Sequence, residues 1–252
     1  LTLKDRIAHH FTTGISTVEM ASKNAEELAE EFSNYFNNTD RKYETFALNG
    51  DKDKIADLKE LLDRHEIEYS TANKGEKISG YSFTDNKDGS LTTTDQTLLV
   101  TTQQPKGHMV EVLFEPKTKL NDSITYDITA WSLPYAYGLD AVASSKSYSG
   151  KNTTETSNIS NTVNAEAAGY IANWNSLKDA EFLAALLKQD VKVRFSELPF
   201  SSEGKEFNAG SLIITKSDNQ KLTDFNEIVV ETANEFEREL TVASTSFASS
   251  GP

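Results

Sequence analysis

Two passages of the sequence repeat one pattern of apolar and polar residues, and this repeat constrains the fold more than any other feature. LKELLDRHEIEYST (58–71) and FLAALLKQDVKVRFSE (182–197) each have a Leu-Leu pair, a polar turn and then alternating apolar residues typical of a strand. TLLVTTQQP (97–105) and SLIITKSDN (211–219) match in the same way. We interpret the passages as an internal duplication, although any two β-α-β units share much of this pattern.

The order of elements in each half predicts the fold class. Each half has a strand-helix-strand pattern, an excursion, a core strand and a helix. The predicted strands are 43–48, 67–70, 78–83, 97–102, 169–173, 191–195, 211–216 and 240–244. We therefore predict an α/β fold with mainly parallel sheet(s), helices on both faces, two similar β-α-β-containing halves and an N-terminal helical segment.

Local signals predict where several elements begin, end and face. Asp51 or Asp53 and Ser176 are expected to cap helices, since short polar side chains satisfy the first free amides. A hairpin turn is expected at 86–89, the sequence Asn-Lys-Asp-Gly. In the second half, Leu187 is expected to face the core with the other leucines of its helix.

The N-terminal segment, 1–41, is predicted to form two helices. Leu3, Ile7 and Phe11 make one apolar stripe, and Gly14 is expected to end the first helix. The second helix is expected to start at Ser16, with Glu19 completing a capping box. Its apolar residues recur at three- and four-residue spacing, and they are Val18, Ala21, Ala25, Leu28, Ala29, Phe32 and Phe36.

The middle of the chain separates the two halves and is rich in aromatic residues. We divide the sequence into N-terminal helices (1–41), a first α/β half (42–122), a central aromatic segment with an exposed polar loop (123–163) and a second α/β half (164–252). Trp131, Tyr135 and Tyr137 surround Pro134, and Asp127 and Asp140 flank them. Such aromatics can line a binding cleft or fill the junction between the halves, and the sequence leaves both interpretations open.

A parallel sheet would place its ligand beyond the carboxyl ends of the strands. The segments expected there are Asn49–Asp51, Thr102–Gln104, Asn173–Ser176 and Lys216–Asn219. The candidate ligand-binding residues are therefore Trp131, Tyr135, Tyr137, Trp174, Gln103 and Gln104, and one hypothesis places a small molecule between the halves beside the two tryptophans.

Composition and motifs exclude several classes of function. A net charge of −14 argues against nucleic acid and anionic membrane as partners, because both need a basic face. Without cysteine there is neither a disulfide nor a thiol nucleophile, and no Gly-x-Ser-x-Gly elbow or Walker lysine is present. His65 begins a His-x-x-Glu sequence but falls at a predicted turn, so we assign no catalytic residue, no metal ligand and no cofactor.

Three stretches of the chain resemble a known family. They are QQPKGHMVEVLFEP (103–116), WSLPYAYGLDA (131–141) and YIANWNSLKDAEFLAALL (170–187). They resemble a region of large secreted bacterial proteins of the zinc carboxypeptidase (carboxypeptidase A-like) class, where it lies between a peptidase domain and a glutamine-amidotransferase-like domain. The family's zinc ligands and glutamate base have no counterpart in this sequence.

The resemblance implies a non-catalytic accessory module of a secreted or periplasmic protein, with zinc held only by the parent's peptidase domain. The module would pack beside that domain and shape substrate access, and its partners would be neighbouring domains of the same chain, with a peptide or glycan as a further candidate. The ending Ser-Ser-Gly-Pro (249–252) has the composition of a linker, so we expect a piece of a longer protein. The alternatives are a small-molecule or glycan/peptide binding module and a degenerate amidotransferase-like domain without activity.

Overall fold

A computed structural model describes residues 2–37, 41–117, 131–151 and 159–245 of the chain. The chain divides into two units, Leu1–Thr153 (unit 1) and Thr154–Pro252 (unit 2). The division falls inside the central segment that the sequence set apart, so the described part of that segment belongs mostly to unit 1.

The N-terminal segment forms helices α1 (Leu3–Lys23) and α2 (Ala25–Asn37). The expected end of the first helix at Gly14 is wrong, because α1 continues through this residue and the junction comes at Asn24. A glycine inside a helix costs only about 1 kcal/mol relative to alanine, and the favourable turns on both sides outweigh it.

The capping box at the start of α1 also differs from the expected one. Thr2 caps the helix, and Asp5 accepts a hydrogen bond from the Thr2 amide at 2.9 Å. Ser16 lies inside the helix, and Glu19 pairs with Lys23 at 2.5 Å. Ser16 and Glu19 therefore lie on the surface of α1 and do not form a cap.

Unit 1 continues with an antiparallel sheet and further helices. In chain order they are β1 (Thr45–Asn49), α3 (Lys52–Arg64), β2 (Tyr69–Thr71), β3 (Lys77–Ser82), β4 (Lys87–Thr92), β5 (Leu98–Thr101), α4 (Gly107–Phe114), α5 (Leu133–Tyr137) and β6 (Asp140–Ser144). The strand order is β2-β5-β1-β6-β3-β4, and every described neighbouring pair is antiparallel. The prediction of a mainly parallel sheet is therefore wrong.

The error comes from a strand that enters between two parallel ones. β1 and β2 flank α3 in the chain and run in the same direction, but β5 lies between them and pairs with both in the opposite direction. β5 and β6 are separated by β1 in the same way. These are split β-α-β units, the arrangement of ferredoxin-like folds. A strand-helix-strand pattern looks the same in sequence whether or not another strand fills the gap.

Helices α3, α4 and α5 cover one face of the unit 1 sheet, which corrects the expectation of helices on both faces. Phe46, Leu48 and Val100 are buried on the face that receives apolar residues of α3 and α4. Ala47 and Leu99, which alternate with them, are buried on the opposite face in a smaller cluster that contains no helix residue. Successive side chains of a strand lie on opposite faces of the sheet, so β1 and β5 are buried on both faces.

The hairpin between β3 and β4 turns earlier than expected. Its turn occupies residues 83–86, and Asn86 has a φ of 54°, a left-handed conformation that asparagine tolerates. Gly89 instead lies within β4 and pairs with Gly80. The expected turn at 86–89 is therefore wrong by three residues.

Unit 2 has the same order of elements on a smaller scale. They are β7 (Gly169–Ala172), α6 (Leu177–Lys188), β8 (Arg194–Phe195), β9 (Phe200–Ser202), β10 (Lys205–Phe207), β11 (Leu212–Thr215), α7 (Phe225–Glu235) and β12 (Thr241–Ala243). The main sheet has the order β12-β7-β11-β8 with antiparallel neighbours, and β9 and β10 form a separate hairpin. Its helices α6 and α7 pack on one face.

The two units share one topology with a hairpin in the same place. β1, β2, β5 and β6 have the same order and directions as β7, β8, β11 and β12, and each unit inserts a hairpin between its second and third shared strands. In unit 1 the hairpin extends the sheet through β6, whereas in unit 2 it pairs only with itself. Residues 140–144 of the central aromatic segment form β6, an interior strand of the unit 1 sheet.

The predicted helix caps at Asp51 and Ser176 are confirmed, and the second is tied to a buried ion pair. Asp51 caps α3 by accepting the amide of Asp53 at 2.9 Å. Ser176 caps α6 in a capping box with Asp179. Nη1 of Arg238, which follows α7, donates to Oδ1 of Asp179 at 2.9 Å in a buried pair. The start of α6 and the end of α7 are thereby joined.

Candidate functional site

The four loops expected at one edge of a parallel sheet lie at opposite edges of two antiparallel sheets. In unit 1, Asn49–Asp51 follows β1 and Thr102–Gln104 follows β5, and these strands run in opposite directions. In unit 2, Asn173–Ser176 and Lys216–Asn219 follow the antiparallel pair β7 and β11. Because alternate strands point in opposite directions, these segments do not form a shared ligand site within either unit.

Gln104 has a structural role that its side-chain hydrogen bonds explain. Its Nε2 donates to the carbonyls of Glu68 (2.9 Å) and Thr101 (2.7 Å), and its Oε1 accepts the Glu68 amide (2.8 Å). The residue is buried, and its amide ties the start of β2 to the end of β5. Gln103 is exposed and donates to the carboxylate of Glu44 at 3.0 Å.

The central aromatics are held by the short helix α5, with different exposures. Pro134 lies in its first turn, and Gly138 ends it with a φ of 61°. Tyr137 packs against the core of unit 1, whereas Tyr135 is partly exposed. Trp131, just before the helix, is 75 % exposed. Among the three candidate aromatics of this segment, Trp131 and Tyr135 therefore present the most aromatic surface to a ligand.

Tyr135 belongs to a small polar and aromatic cluster at the β3–β4 turn. Its ring lies 5.1 Å from that of Phe83, and its hydroxyl donates to Oδ1 of Asn86 at 3.1 Å. The Tyr81 hydroxyl reaches the same Asn86 oxygen at 3.3 Å. Burial, followed by the interaction with Tyr81, raises the pKa of Tyr135 above its ordinary value. The phenol therefore stays protonated and acts as a donor at neutral pH.

The two aspartates that flank the central aromatics, Asp127 and Asp140, differ in what the structure describes. Asp127 lies outside the described residues. Asp140, at the start of β6, accepts a hydrogen bond from the Thr84 hydroxyl at 2.8 Å and so fixes the hairpin turn against the sheet. This hydrogen bond gives Asp140 a structural role.

Trp174 lies in unit 2, in the loop between β7 and α6. Its indole packs against Gly210, where an added Cβ would lie 3.5 Å from Cδ1 of the tryptophan. Gly210 has a φ of 91°, and its amide donates to the Ser196 carbonyl at 2.7 Å. The partly exposed indole therefore contacts the loop that holds Ser196.

A groove lies on the face of the unit 2 sheet that carries no helix. It has a volume of about 360 Å³. Ile171 of β7 and Ile213 of β11 contribute to its floor, and Phe200 of β9 forms part of one wall. The Phe200 ring stacks on Phe207 with centroids 5.1 Å apart, so the hairpin covers part of this face. Leu198 also lines the groove and is 54 % exposed.

The rim of the groove is polar, with one oriented ion pair. Nε and Nη2 of Arg194 donate to the two carboxylate oxygens of Asp218 at 2.7 and 2.5 Å. These bonds, followed by one from the Thr215 hydroxyl, lower the pKa of Asp218 below its ordinary value. Nη1 of the guanidinium is not used in this pair. The groove thus combines apolar side chains with fixed polar groups, the composition of many ligand sites.

Sequence reasoning did not find this groove, although one signal was present. β7 and β11 carry apolar residues at successive positions, as in Tyr170-Ile171 and Ile213-Ile214. A strand with one solvated face alternates apolar and polar residues instead. The pattern indicates that the second face is covered or used, but it does not say which.

The described residues hold no cluster of three His, Cys, Asp or Glu side chains that could bind a metal ion. His65 caps the end of α3 through its backbone, in agreement with its predicted place at a turn. Within the same described ranges, none of the helices has the length and apolarity that crossing a bilayer requires.

Comparisons of the chain with protein-family models, with curated proteins and with solved structures found no match.

Proposed function

We propose that this chain is a non-catalytic binding module that holds an extended peptide segment in the groove of unit 2. The observation that carries the proposal is the groove itself, with an apolar floor at Ile171 and Ile213 and a polar rim at Arg194. In unit 1 the equivalent face is closed, since Ala47 and Leu99 are buried there. Binding on this face is therefore a property of one unit.

The position of the groove at a sheet edge favours a peptide over a compact ligand. β8 is the edge strand of the four-stranded sheet, and residues 194–198 run along the groove. An exposed edge accepts an extended peptide through backbone hydrogen bonds, while alternate side chains enter apolar pockets. The Nη1 donors of Arg194 suit the carbonyl oxygens of such a peptide.

The resemblance to secreted zinc carboxypeptidase-like proteins suggests a biological role for peptide binding. The module is then the accessory region that packs beside the peptidase domain, and the groove shapes substrate access by holding the polypeptide near it. The parent would act outside the cytoplasm, where peptides are abundant substrates. Zinc would be a ligand of the parent's peptidase domain and not of this chain.

Calorimetry with two hexapeptides tests the binding. One alternates phenylalanine and serine, and the other contains only serine and glycine. Leu198→Asp removes an exposed apolar side chain from the groove, and Leu187→Asp removes an equally exposed leucine from α6, since both residues are 54 % exposed. We expect the alternating peptide to bind, Leu198→Asp to weaken it by about tenfold or more, and Leu187→Asp to leave it unchanged.

Trp174 gives an independent optical readout. In a Trp131→Phe background its fluorescence reports on Gly210, which is hydrogen-bonded to the groove residue Ser196. Equal affinity of the two leucine variants, or no preference for the alternating peptide, contradicts the assignment of the groove. Peptide hydrolysis by this chain, abolished by a chelator, contradicts its non-catalytic character.

A second candidate function is recognition of a glycan or another small molecule by Trp131 and Tyr135. The observations that favour it are the exposure of the Trp131 indole and, four residues later in the chain, the Tyr135 hydroxyl that Asn86 orients. Exposed aromatic faces stack on sugar rings and other flat ligands. Titration of Trp131 fluorescence in a Trp174→Phe background with neutral oligosaccharides tests it, and an unchanged spectrum contradicts it.

A further inference from the structure

Helices α1 and α2 leave a long apolar face uncovered by the described residues of unit 1. None of their residues is buried. Half of the exposed large apolar side chains of the described residues lie in these two helices. They are Leu3, Ile7, Phe11, Ile15, Val18, Met20, Leu28, Phe32, Tyr35 and Phe36. A helix of this kind is stable when a partner covers its apolar face.

The apolar residues follow a heptad repeat across both helices. Starting at Ile7, they recur at alternating spacings of four and three, and the positions are Ile7, Phe11, Gly14, Val18, Ala21, Ala25, Leu28, Phe32 and Tyr35, which we name the helical stripe. A repeat sustained over four heptads is the pattern of helices that pair along their length. Asn24, with φ −112° and ψ 25°, separates the two helices. Its amide bonds to the Met20 carbonyl at the end of α1 (3.1 Å), and its carbonyl accepts the Leu28 amide at the start of α2 (2.9 Å), so the helical stripe is divided between α1 and α2.

One end of the helical stripe is fixed to unit 1. The Tyr35 ring lies 4.9 Å from the His108 ring of α4 in an edge-to-face contact. Tyr35 and Phe36 are accordingly less exposed than Phe11 and Phe32. The remainder of the helical stripe is available to a partner.

We propose that the helical stripe pairs in an antiparallel manner with the same stripe of a second copy of this chain. The charges favour this direction. Residues 26–31 of α2 carry four glutamates and no basic residue. With the twofold axis described below, an antiparallel pair places these glutamates beside residues 12–17 of the other copy, which carry no charge. A parallel pair would place the two acidic segments side by side.

The sizes of the stripe residues also suit a pair with its twofold axis near residues 21 and 22. Phe11 then lies opposite Phe32 of the other copy, and Val18 opposite Ala25. Gly14, Ala21 and Ala25 are small residues near the middle, where two helices approach most closely. Large residues fill the space toward the two ends.

The helical stripe is long enough for a stable interface. At 1.5 Å per residue, the 21 residues of α1 extend for about 31 Å and the 13 residues of α2 for about 20 Å. If four of every seven helical positions face a helical partner, about 19 residues of each copy contact it, close to the 20–30 of a standard interface. This number of residues suffices for an association without the groove of unit 2.

Sedimentation equilibrium of the full chain tests the association. We expect a concentration-dependent dimer that Phe11→Glu dissociates, raising the concentration at half-association by more than about tenfold because the change acts twice in a symmetric pair. Leu187→Glu, at an exposed position of α6, is the matched control and should leave the dimer intact. A monomer at the highest soluble concentration, or a Phe11→Glu variant that dimerises normally, overturns the proposal.

Distances between spin labels test the direction, and the absence of cysteine makes labelling specific. One variant carries Lys23→Cys, near the expected twofold axis, and the other carries Ser33→Cys. An antiparallel pair gives a short distance for the first and more than about 30 Å for the second. Short distances for both mean a parallel pair and overturn the antiparallel arrangement. A monomer that binds the peptidase domain of a parent chain through the helical stripe overturns the second copy as partner.

Discussion

Replacing Arg238 by methionine removes one member of the buried ion pair of unit 2. The side chains of Arg238 and Asp179 are each 6 % exposed, and the atoms that join them are 2.9 Å apart. Removing one partner of a buried pair costs about 3–5 kcal/mol, because the remaining charge loses its counter-charge in a poorly solvated place. Asp179 keeps the amides of Asn175 (2.7 Å) and Ser176 (2.8 Å) as donors. We therefore expect a loss near the lower limit, about 3 kcal/mol.

Urea unfolding measures this loss when the signal comes from unit 2 alone. In a Trp131→Phe background, the only remaining indole is that of Trp174, which packs against Gly210. The free energy of unfolding is compared between this background and the same protein carrying Arg238→Met. The slope with urea should stay constant if the variant changes stability and not the extent of unfolding.

An exposed pair provides the control for this experiment. Arg194→Met removes the bidentate pair with Asp218, and we expect a much smaller loss because solvent screens both charges. Replacing both members of the buried pair, Asp179→Asn with Arg238→Met, removes both charges and keeps an oxygen that can accept the amides of Asn175 and Ser176, so it should recover part of the loss of Arg238→Met. An Arg238→Met protein as stable as the Arg194→Met protein refutes the argument that burial makes the first pair important.

Three further changes test other parts of the structure. Gly80→Ala should destabilise unit 1 by about 2 kcal/mol or more, because the new Cβ would lie 2.1 Å from a β6 carbonyl oxygen. Gly14→Ala meets no atom within 4 Å and should stabilise α1 by about 1 kcal/mol. Thermal unfolding followed by circular dichroism compares the two variants. Asn161→Ala should cost about 2 kcal/mol in urea unfolding, since its side chain bonds to three groups around the end of α7. Asp218 has a lowered pKa in the folded state, so its contribution to the free energy of unfolding is present at neutral pH and is lost as the pH falls below about 4. In Arg194→Met the pKa of Asp218 should be higher, and a carbon NMR titration measures it.

The sequence predicted local features that depend on nearby residues. The strands at residues 98–101, 169–172 and 212–215 lie within predicted ones, and the strand at 45–49 overlaps the predicted 43–48, because short β-branched and apolar runs favour strands. Asp51 and Ser176 cap the helices that follow them, because a cap involves only its own turn. The paired passages of the sequence correspond to α3–β2 and α6–β8, which are equivalent elements of the two units.

Features that depend on distant strands were predicted wrongly. The antiparallel pairing of the sheet depends on β5 lying between β1 and β2. The residues of the passage 43–71 contain no signal for this position of β5. Leu187 was expected to face the core, yet it is exposed, since Phe182 and Leu186 take the inner positions of α6. The period of a helix is visible in its sequence, but the direction of its buried face is set by the sheet beneath it.

The candidate site shows the same limit. Gln104 and Tyr137 were chosen as candidate ligand-binding residues, but the fold uses the first to bind backbone groups and the second to pack on the core. Trp131 and Trp174 keep exposed surface, as a binding role requires. The groove of unit 2 was missed because its residues come from separate strands and a hairpin, which only folding brings together.

The sequence by itself determined the strands and helices of the two paired passages, the repetition of their order and the caps at Asp51 and Ser176, because these follow from neighbours along the chain. It did not predict the strands β4, β6, β9 and β10. The tertiary structure decided the antiparallel direction of the sheets, the single helical layer of each unit and the open face above β7 and β11. Those properties arise from pairing between residues far apart in the chain, and periodicity along one segment carries no record of its partner.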